Sequence, residues 1–382
     1  MANRIDENTY PLAFKVKESE FSTDFKLGLR GEEVIQVEAR QMFAHQKEAI
    51  TTEGNNGDVW RIPSDEGLHL HGTDLAPFPL GFFNAGIQGD LFHIIYQLSK
   101  RENVPIQNIN IELSNHYWLT GSFILGTGEG HAEPTNIKIQ VESSAPKSTV
   151  NKIIHQALNL SPAIQYLRAS LKNSFALYIN GRRRPTIGLL ECTEDAIDPF
   201  LSHSKAPSPL SNEQKQDLLI KLPTKQDGEI KLAQKTIDGK LLRNVLGKGS
   251  WKQGEPYAEI STWLELPGTT HFAYKADVGG HRIAPSGLSI LSSGIAFCFM
   301  TQLARYVEGM KMNIHGIRLL QINPYQLNGE LGKALPIQTH LFLNGDAPEE
   351  THTKLLEIAE RTCYLHAAAS KANEPIIQIQ DS

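Results

Sequence analysis

The chain has 382 residues, of which 40% are hydrophobic and 21% charged, a composition typical of a globular protein with a large buried core. Its formal net charge of -5 argues against nucleic acid or an anionic membrane surface as a partner. The start, MANRIDENTYPL, lacks the apolar stretch of a signal peptide, and the apolar runs are too short to span a bilayer, so we expect a cytoplasmic protein.

The first predicted elements are extended segments, and QVEARQMFAHQKEAIT is the clearest of them. A long apolar helix follows and should begin near Ala76-Pro77, because proline suits a first helical turn. Phe82, Phe83 and Phe92 on this helix are predicted to fill the core. Two strands, NINIELS and NIKIQVES, come next, and an amphipathic helix entered through SAPKST ends this part of the chain.

A segment rich in proline, serine and lysine, residues 186–245, is predicted to be a connector. We expect one short helix in it, with Ser211 as its N-cap and NEQKQDLLIKL as its body.

The same order of elements is then predicted a second time, and the sequence itself repeats. LAPFPLGFFNAGI (75–87) aligns with IAPSGLSILSSGI (283–295), and the same shift of 208 places YWLTGSF on YQLNGEL. After a loop that is longer in the first copy, a shift of 202 places VESSAPKSTVNKII on FLNGDAPEETHTKLL. We therefore predict two copies of one α+β module, at 1–185 and 246–382, each with a sheet wrapped around a central helix.

Two cysteines lie on predicted helices of the second copy. In SSGIAFCFMTQLARY, Cys298 shares one helix face with Leu291 and Ile295, and Cys363 lies on the inward stripe of the last helix. Both helices should pack on the same sheet, so we expect Cys298 and Cys363 to meet. In a reducing compartment such a pair is more often catalytic, redox-sensing or metal-binding than structural.

The remaining candidates carry weaker signals. The first copy has Asp90 and Ser161 where the second has the two cysteines, so it lacks the thiol pair. Cys192, in GLLECTED, has no matching partner, and we assign it a structural role. His69 and His71 share one face of a predicted strand, but no third ligand stands at a useful spacing, so we predict no metal site.

At the two cysteines the sequence resembles the OsmC/Ohr superfamily, the osmotically inducible and organic-hydroperoxide-resistance proteins. APSGLSILSSGIAFCFMTQL resembles the motif of the family's first cysteine, and LLEIAERTCYLHAA resembles that of the second. Family members are intertwined homodimers, so the resemblance implies an intramolecular pseudo-dimer here, with a degenerate first copy and further oligomers as an open question.

The resemblance also implies a chemistry, the thiol-dependent reduction of organic hydroperoxides. Cys298 would attack the peroxide, Cys363 would resolve the sulfenic acid to a disulfide, and an external dithiol would restore both thiols. The implied partners are a small apolar hydroperoxide, or another hydrophobic ligand, and the dithiol reductant. No cofactor and no metal are implied.

A reactive buried thiol needs a cation near it, because burial alone keeps a thiol protonated. The family uses an arginine held by a carboxylate. Arg282, just ahead of the helix, is our first candidate, with Lys275 and Arg61 as alternatives and Asp74 as a partner for Arg282.

One departure from the family pattern keeps a second interpretation open. The acid that follows the helix-opening proline in the family is absent from APSG, since Ser286 and Gly287 stand there. A ligand-binding or redox-sensing protein without turnover would fit this difference. His366, one turn beyond Cys363, either lowers the pKa of that thiol or is an ordinary buried histidine.

Overall fold

The structure is a computed structural model, and it describes residues 3–7, 9–16, 32–54, 57–123, 125–210, 217–223, 236–237, 240–241, 243–266, 268–328 and 331–380. Its helices within these ranges are α1 (Pro79–Arg101), α2 (Lys147–Leu160), α3 (Pro162–Arg168), α4 (Phe200–Ser204), α5 (Gly287–Gly309), α6 (Glu349–Thr362) and α7 (Tyr364–Ser370). Short 3-10 turns occupy Ile5–Glu7 and Leu68–Leu70.

The strands divide at the predicted connector. Those before it are β1 (Phe14–Lys15), β2 (Glu32–Gln41), β3 (Lys47–Glu53), β4 (Val59–Ser64), β5 (Ile106–Thr120), β6 (Glu129–Ala132), β7 (Asn136–Ser143), β8 (Ser174–Ile179) and β9 (Arg182–Arg184). Those within and after it are β10 (Leu219–Lys221), β11 (Thr236–Ile237), β12 (Lys240–Leu241), β13 (Arg243–Lys252), β14 (Tyr257–Leu264), β15 (Phe272–Asp277), β16 (Ile314–Asn328), β17 (Leu331–Ala334), β18 (Gln338–Gly345) and β19 (Ile376–Gln380).

Two large sheets make the fold a mixed α+β one, and each sheet contains strands from both ends of the chain. The first has the order β1-β4-β3-β2-β16-β18-β8-β9, with β17 also on β16. The second has the order β10-β15-β14-β13-β5-β7-β19, with β6 also on β5. The halves join through two antiparallel pairings, β2 with β16 and β13 with β5, and two parallel ones, β8 with β18 and β7 with β19.

The long helices α1 and α5 lie between the sheets. Helix α1 packs on β13 and β14, α5 packs on β2 and β16, and the two helices pack against each other. Their close approach depends on glycine: a Cβ on Gly86 would lie 2.5 Å from the backbone N of Leu291, and one on Gly294 would lie 2.8 Å from Phe82 Cβ. Helix α5 is long and apolar enough to cross a membrane by length and composition, yet its apolar window is entirely buried inside the protein.

Both long helices begin two residues after their Ala-Pro pair, so the proline of each pair (Pro77 or Pro285) precedes the N-cap and is not in the first turn as predicted. Helix α1 has Pro79 in its first turn, and α5 begins after Ser286, whose side chain accepts a hydrogen bond from the backbone N of Ser289. Phe82, Phe83 and Phe92 are buried in the core, as predicted.

Two predictions about helices need correction. The last helix is not continuous, because Cys363 has an extended backbone (φ -73°, ψ 114°) that ends α6 and starts α7. In the connector, Ser211 and its neighbours to 216 lie outside the described residues, and the end of the predicted helix is instead strand β10, which pairs with β15. The free edge of β15 offers Leu219–Lys221 backbone hydrogen bonds, and such tertiary pairing overrides a short helical pattern.

Candidate thiol site

The structure brings Cys298 and Cys363 together. Cys298 lies in the middle of α5 and Cys363 at the junction of α6 and α7, and their Sγ atoms are 3.4 Å apart, with the Cys363 thiol donating to Cys298. Both are free thiols and both are buried. Since a disulfide requires about 2.05 Å between sulfurs, only a small movement separates this pair from a covalent bond.

A cavity of about 350 Å³ leads to one of the two sulfurs. Cys298 lines it and Cys363 does not, so a molecule inside the cavity meets Cys298 first. Its apolar walls come from both halves of the chain and are Leu70, Phe78, Pro79, Leu80, Leu119 and Leu264. The cavity therefore suits a molecule with an apolar body.

Two arginines line the same cavity. Arg243, at the start of β13, is opposite Tyr117 of β5, and its Nη1 is buried without a hydrogen-bond partner in the described part of the chain. Arg305, two turns after Cys298 on α5, lies over the Phe123 ring at 4.6 Å from its centroid and donates to Gln302 Oε1 at 3.4 Å. A buried guanidinium N–H without a protein acceptor is costly, so Arg243 is poised to bind an oxygen of a ligand.

The charges of these arginines act on their neighbours. Burial raises the pKa of the Tyr364 phenol, the two guanidiniums oppose that shift, and the two cysteines add to it. Burial also lowers the pKa of His69 in the cavity wall; Glu66 opposes this shift, and Arg243 and Arg305 reinforce it. The phenol of Tyr364 thus lies within electrostatic range of both sulfurs and both cations.

A carboxylate also reaches the cavity wall. Glu66 Oε1 accepts hydrogen bonds from Thr301 Oγ1 at 2.5 Å and from Lys47 Nζ at 3.5 Å. Lys47 is itself fully buried and also donates to Thr301 Oγ1 at 2.9 Å. This buried group ties the first half of the chain to α5 one turn beyond Cys298 and fixes the carboxylate at the cavity.

His366 contacts the inner cysteine. Its Nδ1 lies 3.2 Å from Cys363 Sγ, and its Nε2 is buried without a hydrogen-bond partner in the described structure. The rings of Phe175 and Phe299 surround the imidazole, at 5.7 and 5.2 Å between centroids. Burial lowers the pKa of His366 to about 4, and burial together with Cys298 raises the pKa of the Cys363 thiol well above its usual value. At neutral pH both groups are therefore uncharged.

Arg282, the first candidate for the activating cation, is not at the thiol pair. Its guanidinium binds Asp58 in a two-pronged ion pair, at 2.8 Å from Nε to Oδ2 and 2.6 Å from Nη2 to Oδ1. It lines a different cavity. Its position just ahead of the helix suggested a place near Cys298. Its backbone is instead left-handed (φ 61°) and belongs to a turn in which its N–H donates to Asp277 Oδ1.

The alternatives to Arg282 are also engaged elsewhere. Lys275 lies over the Tyr257 ring at 4.6 Å, and the buried Arg61 donates to Glu48 Oε2 at 2.8 Å. Asp74 accepts from Lys221 Nζ at 2.8 Å and Thr270 Oγ1 at 2.5 Å, not from Arg282.

The cavity that Arg282 lines holds Asp90. This carboxylate occupies the place in α1 that Cys298 has in α5, and its Oδ2 accepts from Ser161 Oγ at 2.5 Å. Burial raises the pKa of Asp90 to about 6, although Ser161 and the backbone N of Ala163 oppose that shift. Asp90 and Ser161, matched to Cys298 and Cys363 in the sequence alignment, are thus in direct contact, as the cysteines are.

The other two predictions about single residues have simple outcomes. Cys192 is buried and donates to Ser174 Oγ at 3.4 Å, which fits a structural role. His69 lies in a 3-10 turn, not on a strand as predicted, and His71 ends that turn. Among the described residues, no group of three or more His, Cys, Asp and Glu side chains is placed to hold a metal ion.

Sequence reasoning missed three residues of this cavity, namely Arg243, Arg305 and Glu66. Arg305 had a detectable signal, since a residue seven positions after Cys298 lies on the same helix face. Arg243 and Glu66 arrive through strand pairing and through a turn from the other half of the chain, and spacing along the sequence does not reveal either.

Fold and site together define a mixed α+β protein with two buried thiols beneath an apolar cavity that carries arginines. No protein-family model matches the chain, and no curated protein matches it. Among solved structures it is similar to an OsmC-like hydroperoxide resistance protein from Jannaschia sp. CCS1, with 19% sequence identity and a TM-score of 0.27, over 40% of this chain and 98% of that one. That protein is of the type that the sequence resembles, but a TM-score this low carries no argument about activity.

Proposed function

We propose that this protein reduces organic hydroperoxides with Cys298 as the attacking thiol and Cys363 as the resolving thiol. The observation that carries the proposal is the 3.4 Å separation of the two sulfurs, with only Cys298 open to the cavity. A peroxide entering the cavity reaches the outer sulfur, that of Cys298, and the inner sulfur, that of Cys363, lies behind it.

The proposed reaction has three balanced steps. The Cys298 thiolate attacks the terminal peroxide oxygen, the O–O bond breaks, and the alkoxide takes up a proton to leave as an alcohol. Cys363 then attacks the Cys298 sulfenic acid, which forms the S–S bond and releases water. An external dithiol reduces the disulfide by exchange and is itself oxidised to a disulfide.

We assign the activating role to Arg243. Its buried Nη1, which has no hydrogen-bond partner among the described residues, can stabilise a negative sulfur or the departing alkoxide, which are strong acceptors in an apolar cavity. Arg305 supplies a second positive charge in the same wall. The apolar wall residues favour a hydroperoxide with a hydrocarbon body.

The architecture that we propose for this chemistry is a pseudo-dimer of two modules, 1–185 and 246–382. The exchange of strands between the halves and the matching contacts of Asp90–Ser161 and Cys298–Cys363 support it. In this arrangement the first module has lost its thiols but still supplies Phe78, Pro79 and Glu66 to the cavity of the second.

The test is hydroperoxide consumption with dithiothreitol or a lipoyl dithiol as reductant. We expect Cys298→Ser to abolish turnover, and Cys363→Ser to stop at a sulfenic acid that a diketone reagent traps. Arg243→Met should slow the first step about 10- to 100-fold, as expected for loss of a hydrogen bond to a charged group. The matched control is Arg282→Met, which removes the same side chain from the other cavity and should leave the rate unchanged.

A different result would favour the second interpretation, a protein that binds an apolar ligand or senses redox state without turnover. The ion-pair partner of Glu66 is Lys47 and not an arginine, so the family's arginine–carboxylate pair is not reproduced by these side chains. Equal peroxide consumption by wild type and Cys298→Ser, together with an apolar ligand bound to the purified protein, would contradict the proposed reduction.

A further inference from the structure

We infer that His366 is a catalytic residue for the second chemical step: its Nδ1–H donates to Cys363 Sγ and stabilises the negative charge that develops on this sulfur as it attacks Cys298. The inference rests on the proposed function and adds to it a residue that acts after the peroxide has been reduced.

The geometry places the imidazole against the reacting atom of that step. His366 Nδ1 is 3.2 Å from Cys363 Sγ, and Cys363 Sγ is 3.4 Å from Cys298 Sγ. The three groups therefore form a chain that runs from the imidazole through the inner sulfur to the outer sulfur. Of these three residues only Cys298 lines the cavity, so the imidazole acts only through Cys363.

The direction of the hydrogen bond follows from the protons available. The Cys363 thiol has one hydrogen, and we assign it to the contact with Cys298 Sγ, 3.4 Å away. With that assignment His366 donates to Cys363 Sγ through an Nδ1–H, which leaves Nε2 as the ring's acceptor. That Nε2 is buried beside the rings of Phe175 and Phe299 and has no partner among the described residues, so this tautomer is kept at a cost.

A donor role suits this imidazole better than a role as base. With its pKa lowered to about 4 by burial, the ring is too weak a base to hold a proton taken from a thiol whose own pKa is raised. A neutral imidazole N–H can still stabilise negative charge that develops on sulfur, and it does so without adding a buried charge.

The step balances as follows. In the reduced pair the hydrogen of Cys363 is assigned to Cys298 Sγ, and in the proposed step it turns to the oxygen of the Cys298 sulfenic acid. As Cys363 attacks, this hydrogen moves to that oxygen, the S–O bond breaks, and water leaves. The charge that develops on Cys363 Sγ as its S–H bond breaks is met by the Nδ1–H of His366.

The first half of the chain offers the matched control. Its residue in the place of His366 is Ile164, next to the Asp90–Ser161 pair that holds no thiol. His366→Ile therefore removes the donor and introduces the residue that occupies the equivalent helix position in the first half of the chain. His366→Asn keeps a short N–H donor near the place of Nδ1.

The experiment uses the full chain with Cys192→Ala, so that Cys298 and Cys363 are the only thiols that can react with the reagents. One equivalent of hydroperoxide is added, and the lifetime of the Cys298 sulfenic acid is measured by trapping with a diketone reagent and mass spectrometry. We expect His366→Ile to form the sulfenic acid at the wild-type rate but to convert it to the disulfide about 10- to 100-fold more slowly. His366→Asn should recover most of the rate.

A second arm needs no peroxide chemistry. A small methanethiosulfonate converts Cys298 to its methyl disulfide, and the attack of Cys363 then releases methanethiol, which appears as a mass loss. The same slowing by His366→Ile and the same recovery by His366→Asn are expected. Failure of the proposed function would leave the first arm without a sulfenic acid, while this arm still reports on His366.

Two results would overturn the inference. One is release of methanethiol by His366→Ile at the wild-type rate in a protein that unfolds at the same urea concentration. The other is an equal slowing by His366→Ile and His366→Asn, which would mean that the imidazole only fills space.

Discussion

Asp90 is a single residue whose ionisation should control stability. Burial raises its pKa from 3.8 to about 6, so the folded state binds this proton more tightly than the unfolded chain does. Stability from Asp90 is therefore complete below about pH 4 and is lost as the pH rises through 6, at a cost of about 3 kcal/mol near neutrality. We expect Asp90→Asn to raise the free energy of unfolding at pH 8 by about 1–3 kcal/mol.

The difference between Asp90→Asn and wild type should shrink toward pH 4, where the native carboxyl is already neutral. Urea unfolding between pH 4 and 8 measures this. A variant that is less stable than wild type at pH 8, or a difference that does not change with pH, would show that the buried carboxylate is held ionised by its partners.

At the residue scale the sequence predicted the meeting of the cysteines but not their surroundings. Helical spacing predicted that Cys298 and Cys363 face inward, and inward-facing residues on two helices that pack on one sheet are expected to lie close together. Nearness along the chain made Arg282 the first candidate for the activating cation, but its guanidinium binds Asp58 and lines another cavity. Arg243 reaches the site through the register of β13 on β5, which fixes Arg243 opposite Tyr117 and is a property of the folded sheet.

At the scale of elements, the crossing of α1 and α5 makes a prediction about glycine. Gly86→Ala would force a methyl group to within 2.5 Å of the Leu291 backbone, so the helices must separate. We expect a loss of about 1–3 kcal/mol in the free energy of unfolding, typical of overpacking. Gly309→Ala is the control: it lies on the last turn of α5 with open space around it and should gain up to about 1 kcal/mol. Equal stability of Gly86→Ala and wild type in urea would contradict the close crossing.

The elements that the sequence predicted well are the ones with long, regular patterns. Helices α1 and α5 were expected from their apolar runs, and β5, β7, β16 and β18 from alternation. The break at Cys363 was not expected, because ERTCYLHAA contains neither proline nor glycine; the matching place in the first half, Ser161-Pro162, shows the break plainly. Strand β10 is only three residues long, and its pairing with β15 cannot be read from so short a segment.

For the whole molecule, the proposed pseudo-dimer predicts that the lost site can be rebuilt. In a Cys298→Ser, Cys363→Ser background, Asp90→Cys with Ser161→Cys should bring two thiols as close as the native pair, because Asp90 and Ser161 are already in contact. We expect a mild oxidant to form this disulfide nearly completely, as a loss of two hydrogens in the mass spectrum. Asp90→Cys with Ser170→Cys, an exposed position, is the control and should stay reduced. Free thiols in both would contradict the equivalence of the two places.

The pairing of β2 with β16 also determines when the nascent chain can complete its first sheet during synthesis. The first strands leave the ribosome well before residues 314–328 exist, and at about 5–20 residues per second the delay is roughly 15–60 s. During that time an edge of β2 that is buried in the finished protein has no neighbour and is open to pairing with other chains. Translation speed and chaperone supply should therefore affect the yield of this protein more than that of a chain whose sheets close locally.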